Sequence, residues 1–326
     1  MKKLSVLLLA LSLVFCFLQS ACAQNTEQNI ATMEKANELY EAGDYSAAMK
    51  IYKAFAENGN SEAMCPIGLM YLDGLGVDID YDKAWEYCEK AVSGGYPKAA
   101  NTLGYICQMG YGREPDLQAA VGCYEQAAQA GSARAYMNLG GIYMRGLLGE
   151  PDYEKAYDCL KKAYDLGLTE AAAYIGCLYQ YGLGREIDYA AAMEWSKKGA
   201  EAGNADAMYQ IGVMYQFGLG VDQDDYEAFK WYEKAANGGN GTAMNNVGDC
   251  YETGSYVEQD FAKARECYEK AVEVGEMIGY ASIGGLYENG HGVEKDLEKA
   301  AEYYQLALEN GCADAQQFLD ALLASK

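Results

Sequence analysis

A thirty-six-residue repeat constrains this 326-residue chain more than any other feature of its sequence. The central copy runs from Asn204 to Gly239, and close copies adjoin it on both sides. Such strict registration is the mark of an internal repeat array and not of a single globular core. One glycine series is Gly68, Gly104, Gly140, Gly176, Gly212, Gly248 and Gly284, and one aspartate series is Asp80, Asp116, Asp152, Asp188, Asp224, Asp260 and Asp296.

The central copy predicts two helices joined by a glycine loop. Ile211 and Tyr215 lie at helical spacing on the apolar face of a first helix, and Gly212 on that face lets the partner helix approach closely. Gly218 supplies the left-handed residue that ends this helix. Asp224 caps the second helix by accepting hydrogen bonds from its free amide groups.

Neither helix, at about twelve to fourteen residues, would be stable alone in water. Stacked pairs bury each other's apolar faces, so stability comes from the interfaces between neighbours along the row. The sequence therefore predicts an all-α stack of helix–turn–helix units.

Residues 1–23 have the pattern of a signal peptide. A basic start precedes an apolar run over residues 4–18, and Ala-Cys-Ala at 21–23 is a cleavage site for export. The apolar run is too short for a membrane span. The four residues ending at Cys22 are also similar to a bacterial lipobox, although Gln19 stands where leucine is expected. We therefore expect an exported protein, periplasmic or secreted, with a lipid anchor at Cys22 as the alternative.

The rest of the chain divides by its periodicity. Residues 24–35 are polar and form an N-terminal tether. Residues 36–60 give two short helical patterns that resemble a tetratricopeptide unit and would open the array. Seven full repeats follow over residues 61–311. Residues 312–326 repeat only a first helix, with Asp320 in place of the glycine, and are expected to cap the array.

The pattern LG-x-x-Y-x-x-G-x-G-V, followed by D-x-x-x-A-x-x-W-Y, resembles the Sel-one-like repeat family, a relative of the tetratricopeptide repeats. The resemblance implies a right-handed, tetratricopeptide-like α-solenoid that holds partners along a curved surface, typically as an adaptor; bacterial members are often exported. Two copies depart from the second loop glycine, with Leu148 and Tyr256 in its place. The pattern is clearest at Ile211-Gly212, Tyr215, Gly218, Gly220-Val221, Asp224, Ala228 and Trp231-Tyr232.

The charge of the chain narrows the choice of partner. The formal net charge is −23, and removing the two lysines of the signal peptide leaves −25. That charge repels nucleic-acid phosphates and anionic lipid surfaces, and it permits a basic partner. We expect a protein or peptide partner whose identity the sequence does not specify, no nucleic acid and no membrane span.

Motifs for catalysis are scarce. His291 is the one histidine of the chain, and a general base needs an acid or nucleophile held within reach. The glycine loops recur in most copies, so they are turns and not phosphate cradles. We therefore expect no enzyme activity, no cofactor and no metal. The predicted function is a protein–protein interaction scaffold or adaptor of the bacterial envelope or secreted compartment.

Eight cysteines occupy positions that neighbouring helices can bring together. An exported protein can form disulfides, and facing helices about 8–10 Å apart can satisfy disulfide geometry. The alternative is that they are small buried hydrophobic side chains in columns of the repeat. The candidate bridges are Cys65 with Cys88, Cys107 with Cys123, Cys159 with Cys177, and Cys250 with Cys267.

A cysteine-rich branch of the same family, known from Helicobacter, supplies the alternative function, because it is linked to β-lactam binding or hydrolysis. Its paired thiols lie at the end of one unit and the start of the next. The equivalent positions here include Val92 and Ala100, so that motif is absent from this sequence.

The columns that packing leaves free on the first helices supply candidate partner-binding residues. Amides and aromatic rings at successive steps of a solenoid suit an extended peptide, because amides bond its backbone and rings pack on its side chains. Ordinary exposed surface is the alternative interpretation. The candidates are Thr102, Tyr105, Asn138, Tyr174, Tyr181, Gln210, Phe217 and Asn246, to which the central unit adds Tyr209.

Overall fold

The computed structural model describes residues 32–324, so the predictions for the signal peptide and for Cys22 lie outside the described residues. Within that range the chain forms seventeen α-helices and one short 3-10 turn (Pro97–Ala99), and no strand. The helices are α1 Met33–Glu41, α2 Tyr45–Glu57, α3 Ser61–Asp73, α4 Tyr81–Ser93, α5 Ala100–Met109, α6 Leu117–Gln129, α7 Ala133–Met144, α8 Tyr153–Asp165, α9 Ala171–Gln180, α10 Tyr189–Glu201, α11 Ala205–Phe217, α12 Asp225–Asn237, α13 Gly241–Thr253, α14 Phe261–Glu273, α15 Ile278–Asn289, α16 Leu297–Glu309 and α17 Ala315–Ala324.

The helices form two compact bodies: the N-terminal body ends at Gly131 and the C-terminal body begins at Ser132. Within each body the helices pack as consecutive pairs, such as α3 with α4 and α11 with α12, and each pair stacks on the next. The predicted all-α solenoid of helix pairs is therefore confirmed. None of the helices in residues 32–324 has both the length and the apolar character that a membrane crossing requires.

The loop of each pair is closed by the aspartate column. Asp224 accepts a hydrogen bond from the Glu227 amide at 2.9 Å, and its own amide donates to the Tyr215 carbonyl at 3.0 Å. The first helix ends at Gly218, whose φ of 65° is left-handed. Both residues therefore have the predicted structural roles, and a cap of this kind contributes about 1 kcal/mol.

The glycine column of the first helices is a contact surface for the second helices. A Cβ on Gly212 would lie 2.6 Å from Cε1 of Tyr232, and one on Gly284 would lie 2.7 Å from Cε1 of Tyr304. These distances are too short for any side chain, so only glycine lets the ring lie on the helix backbone. The Tyr304 hydroxyl then donates back to Glu288 on the first helix at 2.6 Å. Ring and hydroxyl together fix one helix of the pair against the other.

Neighbouring glycines on α15 test this contact. Gly284→Ala places a methyl group against the Tyr304 ring and is expected to destabilise the protein by about 1–3 kcal/mol. Gly285→Ala is its control, because a Cβ there meets only the Tyr304 hydroxyl at 3.9 Å. That variant should be neutral or stabilising by up to about 1 kcal/mol, because alanine favours helix. Urea unfolding followed by circular dichroism measures both, and equal stabilities would contradict the assignment.

Candidate functional site

A groove rich in aromatic side chains opens on the C-terminal body, which begins at Ser132, between α11, α12 and α13 and beside the end of α9. It encloses about 620 Å³. We call it the aromatic groove. Its walls are Tyr181 after α9; Tyr209, Val213, Gln216 and Phe217 from α11; Asp225, Ala228, Phe229 and Tyr232 from α12; Asn246, Asp249, Cys250 and Thr253 from α13; and Ser255 and Tyr256 from the loop after α13.

Four of the nine predicted partner-binding residues meet in the aromatic groove: Tyr181, Tyr209, Phe217 and Asn246. Tyr181 and Phe217 occupy the same repeat column at successive first helices, and they are 59% and 65% exposed. The Asn246 side chain bonds the hydroxyls of Tyr209 and Tyr232. It therefore positions these two rings as well as facing the groove. Whether the four residues bind a partner stays a prediction.

Three other candidates do not line the aromatic groove. Tyr105 on α5 is exposed and meets Tyr111 edge-on at 5.7 Å between ring centroids. Asn138 lies on α7 and Tyr174 on α9.

Gln210 is not available at the surface, which corrects its prediction as a binding residue. The residue is buried, Nε2 donates to the Ala173 carbonyl at 3.1 Å, and Oε1 accepts from the Ser196 hydroxyl at 3.0 Å. Ser196 stands in the column where Tyr232 and its equivalents stand in other units. The small serine leaves space against the first helix, and Gln210 of the next unit fills it.

Thr102 needs the same correction. It is also buried, and its hydroxyl bonds the thiols of Cys65 and Cys88. Cys88 replaces the tyrosine of its unit, again leaving room for the next first helix. Thr102 and Gln210 occupy the same column of the repeat. Whether a residue in that column is exposed is therefore decided by the residue opposite it in the preceding repeat.

Tyr256, in the wall of the aromatic groove, has a strained backbone. Its φ of 67° makes it the one non-glycine residue with positive φ in residues 32–324. The equivalent position in five sister loops is a glycine with φ between 67° and 71°. A left-handed conformation costs a residue with a side chain about 1–2 kcal/mol. Strain of this kind persists where a structure or function requires it, so Tyr256 marks this loop as different from its sisters.

The residue that lies beneath Tyr256 also differs from its equivalents in the other repeats. In sister loops the glycine packs against an aromatic residue that starts the preceding second helix. A Cβ on Gly220, for example, would lie 2.6 Å from the Cβ of Tyr189. Below Tyr256 that residue is Asp225, and its carboxylate accepts a hydrogen bond from the Tyr256 hydroxyl. The sequence marked Tyr256 as a departure, but it gave no reason to connect the residue with Asp225.

Asp249 is the second carboxylate of the aromatic groove. Its side chain is open to water, yet protein on several sides partly desolvates it and raises the pKa of the carboxyl. Neither Asp225 nor Asp249 is in an ion pair within the described part of the chain. None of the residues that line the groove is a lysine or arginine. The groove is therefore acidic and aromatic together.

A hydrogen-bond cluster adjoins Asp249. The Tyr268 hydroxyl lies 2.7 Å from Oδ1 of Asp249 and 2.7 Å from Oε2 of Glu252. On its other side Glu252 contacts Nδ1 of His291 at 2.8 Å, and the His291 ring stacks on Phe261. The histidine is therefore held by a carboxylate and a ring, which its loop sequence did not predict. No His, Cys, Asp and Glu side chains within residues 32–324 form a group of three or more that could hold a metal ion.

The nine cysteines of residues 32–324 are thiols in the structure. A hydrogen bond joins the thiols of Cys107 and Cys123, and the thiols of Cys65 and Cys88 both hydrogen-bond the Thr102 hydroxyl. Burial raises the pKa of the Cys65 thiol to about 11. Such thiols are largely protonated at neutral pH and therefore poor nucleophiles. The four candidate bridges stay a prediction for the oxidised protein.

Comparison with known proteins identifies related folds. Two similar solved structures are each 30% identical to this chain: the protective antigen c5321 of uropathogenic Escherichia coli (TM-score 0.64) and a Sel1 repeat protein of Oxalobacter formigenes (TM-score 0.67). The first covers 93% of this chain, which spans 66% of its length; the second covers 74%, and the chain spans 97% of it. A search of curated proteins found no match. The Sel1 repeat family matches residues 61–96, 97–132, 133–168, 169–204, 205–240, 241–276 and 278–312.

Replacing Tyr256 by glycine should give a more stable protein than replacing it by alanine. Both variants lose the ring and its hydrogen bond to Asp225. Only glycine relieves the left-handed strain of about 1–2 kcal/mol, and it loses roughly 0.5–1 kcal/mol through the freer unfolded chain. We therefore expect the unfolding free energy of Tyr256→Gly to exceed that of Tyr256→Ala by up to about 1 kcal/mol, measured by urea denaturation. Equal stabilities of the two variants would show that strain is not the cause.

Cys250 reports on the electrostatics of the aromatic groove. Burial, and then the charge of Asp249, raise the pKa of its thiol to about 11. In the reduced protein at pH 8, iodoacetamide should therefore modify Cys250 roughly a hundred times more slowly than a free cysteine. The rate should climb with pH towards 11, and Asp249→Asn should increase it. Mass spectrometry of timed samples measures the rate, and a rate independent of pH would refute the assignment.

Proposed function

Because this chain belongs to the Sel1 repeat family, we propose that it is a non-catalytic scaffold that binds a segment of a partner protein in the aromatic groove. Proteins built on this fold are typically interaction scaffolds, and the function of a given member is decided by its own sites. The aromatic groove is our candidate for that site. We propose further that the protein is exported to the bacterial envelope or secreted, as the pattern of residues 1–23 predicts.

The strained Tyr256 is the observation that carries this proposal. A glycine at this position would fit the loop without strain, as it does in five sister loops. The tyrosine is instead kept at an energetic cost, and its ring is 47% exposed in the wall of the groove. Costs of this kind concentrate at binding sites, where a ligand repays them.

Exposed rings on successive units support a peptide segment as the occupant. Tyr181 and Phe217 repeat along the groove at one ring per unit, and Tyr256 adds a third ring. Large aromatic side chains are the residues that dominate binding energy at protein interfaces. An extended segment crossing successive units would meet them in turn, as peptides do in other recognition grooves.

The processing of the N-terminus separates the two forms of export. The intact mass of the protein purified from its native host would match cleavage after Ala23 for the soluble form. An acylated Cys22 at the new N-terminus would give a larger mass by its lipid chains and favour the anchored form. An uncleaved chain would contradict export through this segment.

Truncation of two rings tests the aromatic groove. Tyr181→Ala combined with Phe217→Ala should weaken partner binding about a hundredfold or more, because each central aromatic anchor contributes about 2 kcal/mol. Affinity capture from the native host, quantified by mass spectrometry, compares the variant with the wild type. Circular dichroism should show unchanged helicity, because both rings are exposed.

Tyr226→Ala is the matched control. Tyr226 is 54% exposed on α12 and does not line the groove, so its removal should leave capture unchanged. Retention of the same partners by the Tyr181 and Phe217 double variant would place the binding surface elsewhere.

A further inference from the structure

We propose that the partner segment is basic, and that a lysine or arginine side chain lies in the aromatic groove with its charge between Asp225 and Asp249. The proposal rests on the proposed function, because it names the chemistry of the occupant of the same groove. Three departures from the repeat carry it, two of which, Asp225 and Tyr256, are joined by a hydrogen bond.

The first departure is Asp225. In seven sister positions this column, which starts the second helix, is occupied by a large apolar side chain. The column reads Tyr45, Tyr81, Leu117, Tyr153, Tyr189, Phe261 and Leu297 in the other units. Asp225 thus places a negative charge where the repeat otherwise places a hydrocarbon or ring.

The second departure is Asp249. Its column on the first helices carries no charge in any other unit, and it reads Leu69, Tyr105, Gly141, Cys177, Val213 and Gly285. The third departure is Tyr256 in a glycine column. These three exceptions are separate in sequence, yet all three side chains line one groove. Asp225 and Tyr256 bond each other, but the repeat fold requires neither of them nor Asp249, so their meeting points to a shared ligand.

The hydrogen bonding of Asp249 leaves it in need of a donor. The Tyr268 hydroxyl has one proton, but two carboxylates, Asp249 and Glu252, lie within 2.7 Å of it. One of them is left without that proton at any moment. Glu252 has a second partner in His291 at 2.8 Å. An incoming ammonium brings three donors and a guanidinium five, and either would satisfy Asp249 and offset its charge.

Lysines near the groove are engaged elsewhere. Lys230 of α12 pairs with Glu227, and Lys234 lies over the Trp231 ring at 4.0 Å.

Asp225 accepts hydrogen bonds from the Tyr256 hydroxyl and from Nε2 of Gln223, and Asp249 shares the Tyr268 hydroxyl. Neither carboxylate has a cationic partner within residues 32–324, so a cation from outside can still pair with them. Two like charges in a concave site repel an acidic segment and attract a basic one.

The exposed rings favour a basic side chain over a small free cation. Lysine and arginine carry long hydrocarbon stems, which pack on apolar surface while the charged end remains at a polar site. Aromatic faces also attract the cation itself. Tyr181, Phe217 and Tyr256 supply such faces beside the two carboxylates.

Selection from a random peptide library on the immobilised full-length mature protein tests this inference. We expect the selected peptides to be enriched in lysine or arginine and to bind more weakly as salt is raised. Asp249→Asn and Asp225→Asn keep the side-chain shape and should each weaken these peptides about ten- to hundredfold, since a hydrogen bond to a charged group is lost. Fluorescence anisotropy with labelled peptides measures the affinities.

Glu233→Gln is the control, because Glu233 is an exposed acid on α12 that does not line the groove. It removes the same charge and should leave binding unchanged. Equal weakening by this variant would attribute the effect to overall charge and overturn the proposal.

Two other outcomes separate this inference from the proposed function. Peptides that lose binding to the Tyr181 and Phe217 double variant, but lack basic residues or ignore Asp249→Asn, would overturn the basic partner and leave the groove as a binding site. Peptides that bind the double variant as well as the wild type would overturn both. Free spermidine that displaces the basic peptides at equal concentration would show that the site takes small cations, and would also overturn a peptide-specific role.

Discussion

The close contact between a glycine of each first helix and the residue facing it on the second helix sets the geometry of each helix pair. Gly212 against Tyr232 and Gly284 against Tyr304 leave no room for a side chain on the first helix. Because the ring lies directly on the backbone, a smaller residue in its place leaves a space that a side chain of the next first helix must fill. Where the ring is replaced by Ser196, the next first helix supplies Gln210 to fill the space. The helix pairs are therefore coupled by volume, unit by unit, along the stack.

This coupling explains which parts of the structure the sequence predicts. Gly218 and Asp224 act within a few residues of their own position, as a helix end and a cap, so local pattern is enough to assign them. The repeat period then extends each assignment to every unit. The same logic placed Tyr181 and Phe217 on successive first helices, since a column that recurs every thirty-six residues faces one direction.

What the sequence could not predict depends on side chains from different units. Thr102 and Gln210 have the same position in the repeat as Asn246, and only the size of the residue opposite decides which of them is buried. Asp225 and Asp249 were missed because each looks ordinary within its own unit, as an acid near a helix start or on a helix surface. A signal was present, however: each breaks a column that is uncharged in its sister units. Reading the columns for exceptions would have found both acids together with Tyr256.

In a repeat protein the regular columns describe the scaffold, and the exceptions are where one member can differ from another. Tyr256 is strained, and Asp249 competes with Glu252 for a single hydroxyl proton, so these two exceptions cost stability. Asp225 is linked to Tyr256 by a hydrogen bond, and Asp249 adds a further exception in the same groove. Their convergence in one groove is what a ligand that offsets their cost would produce. The net charge of −23 would act in the same direction at longer range, because it attracts a basic segment of the kind we propose.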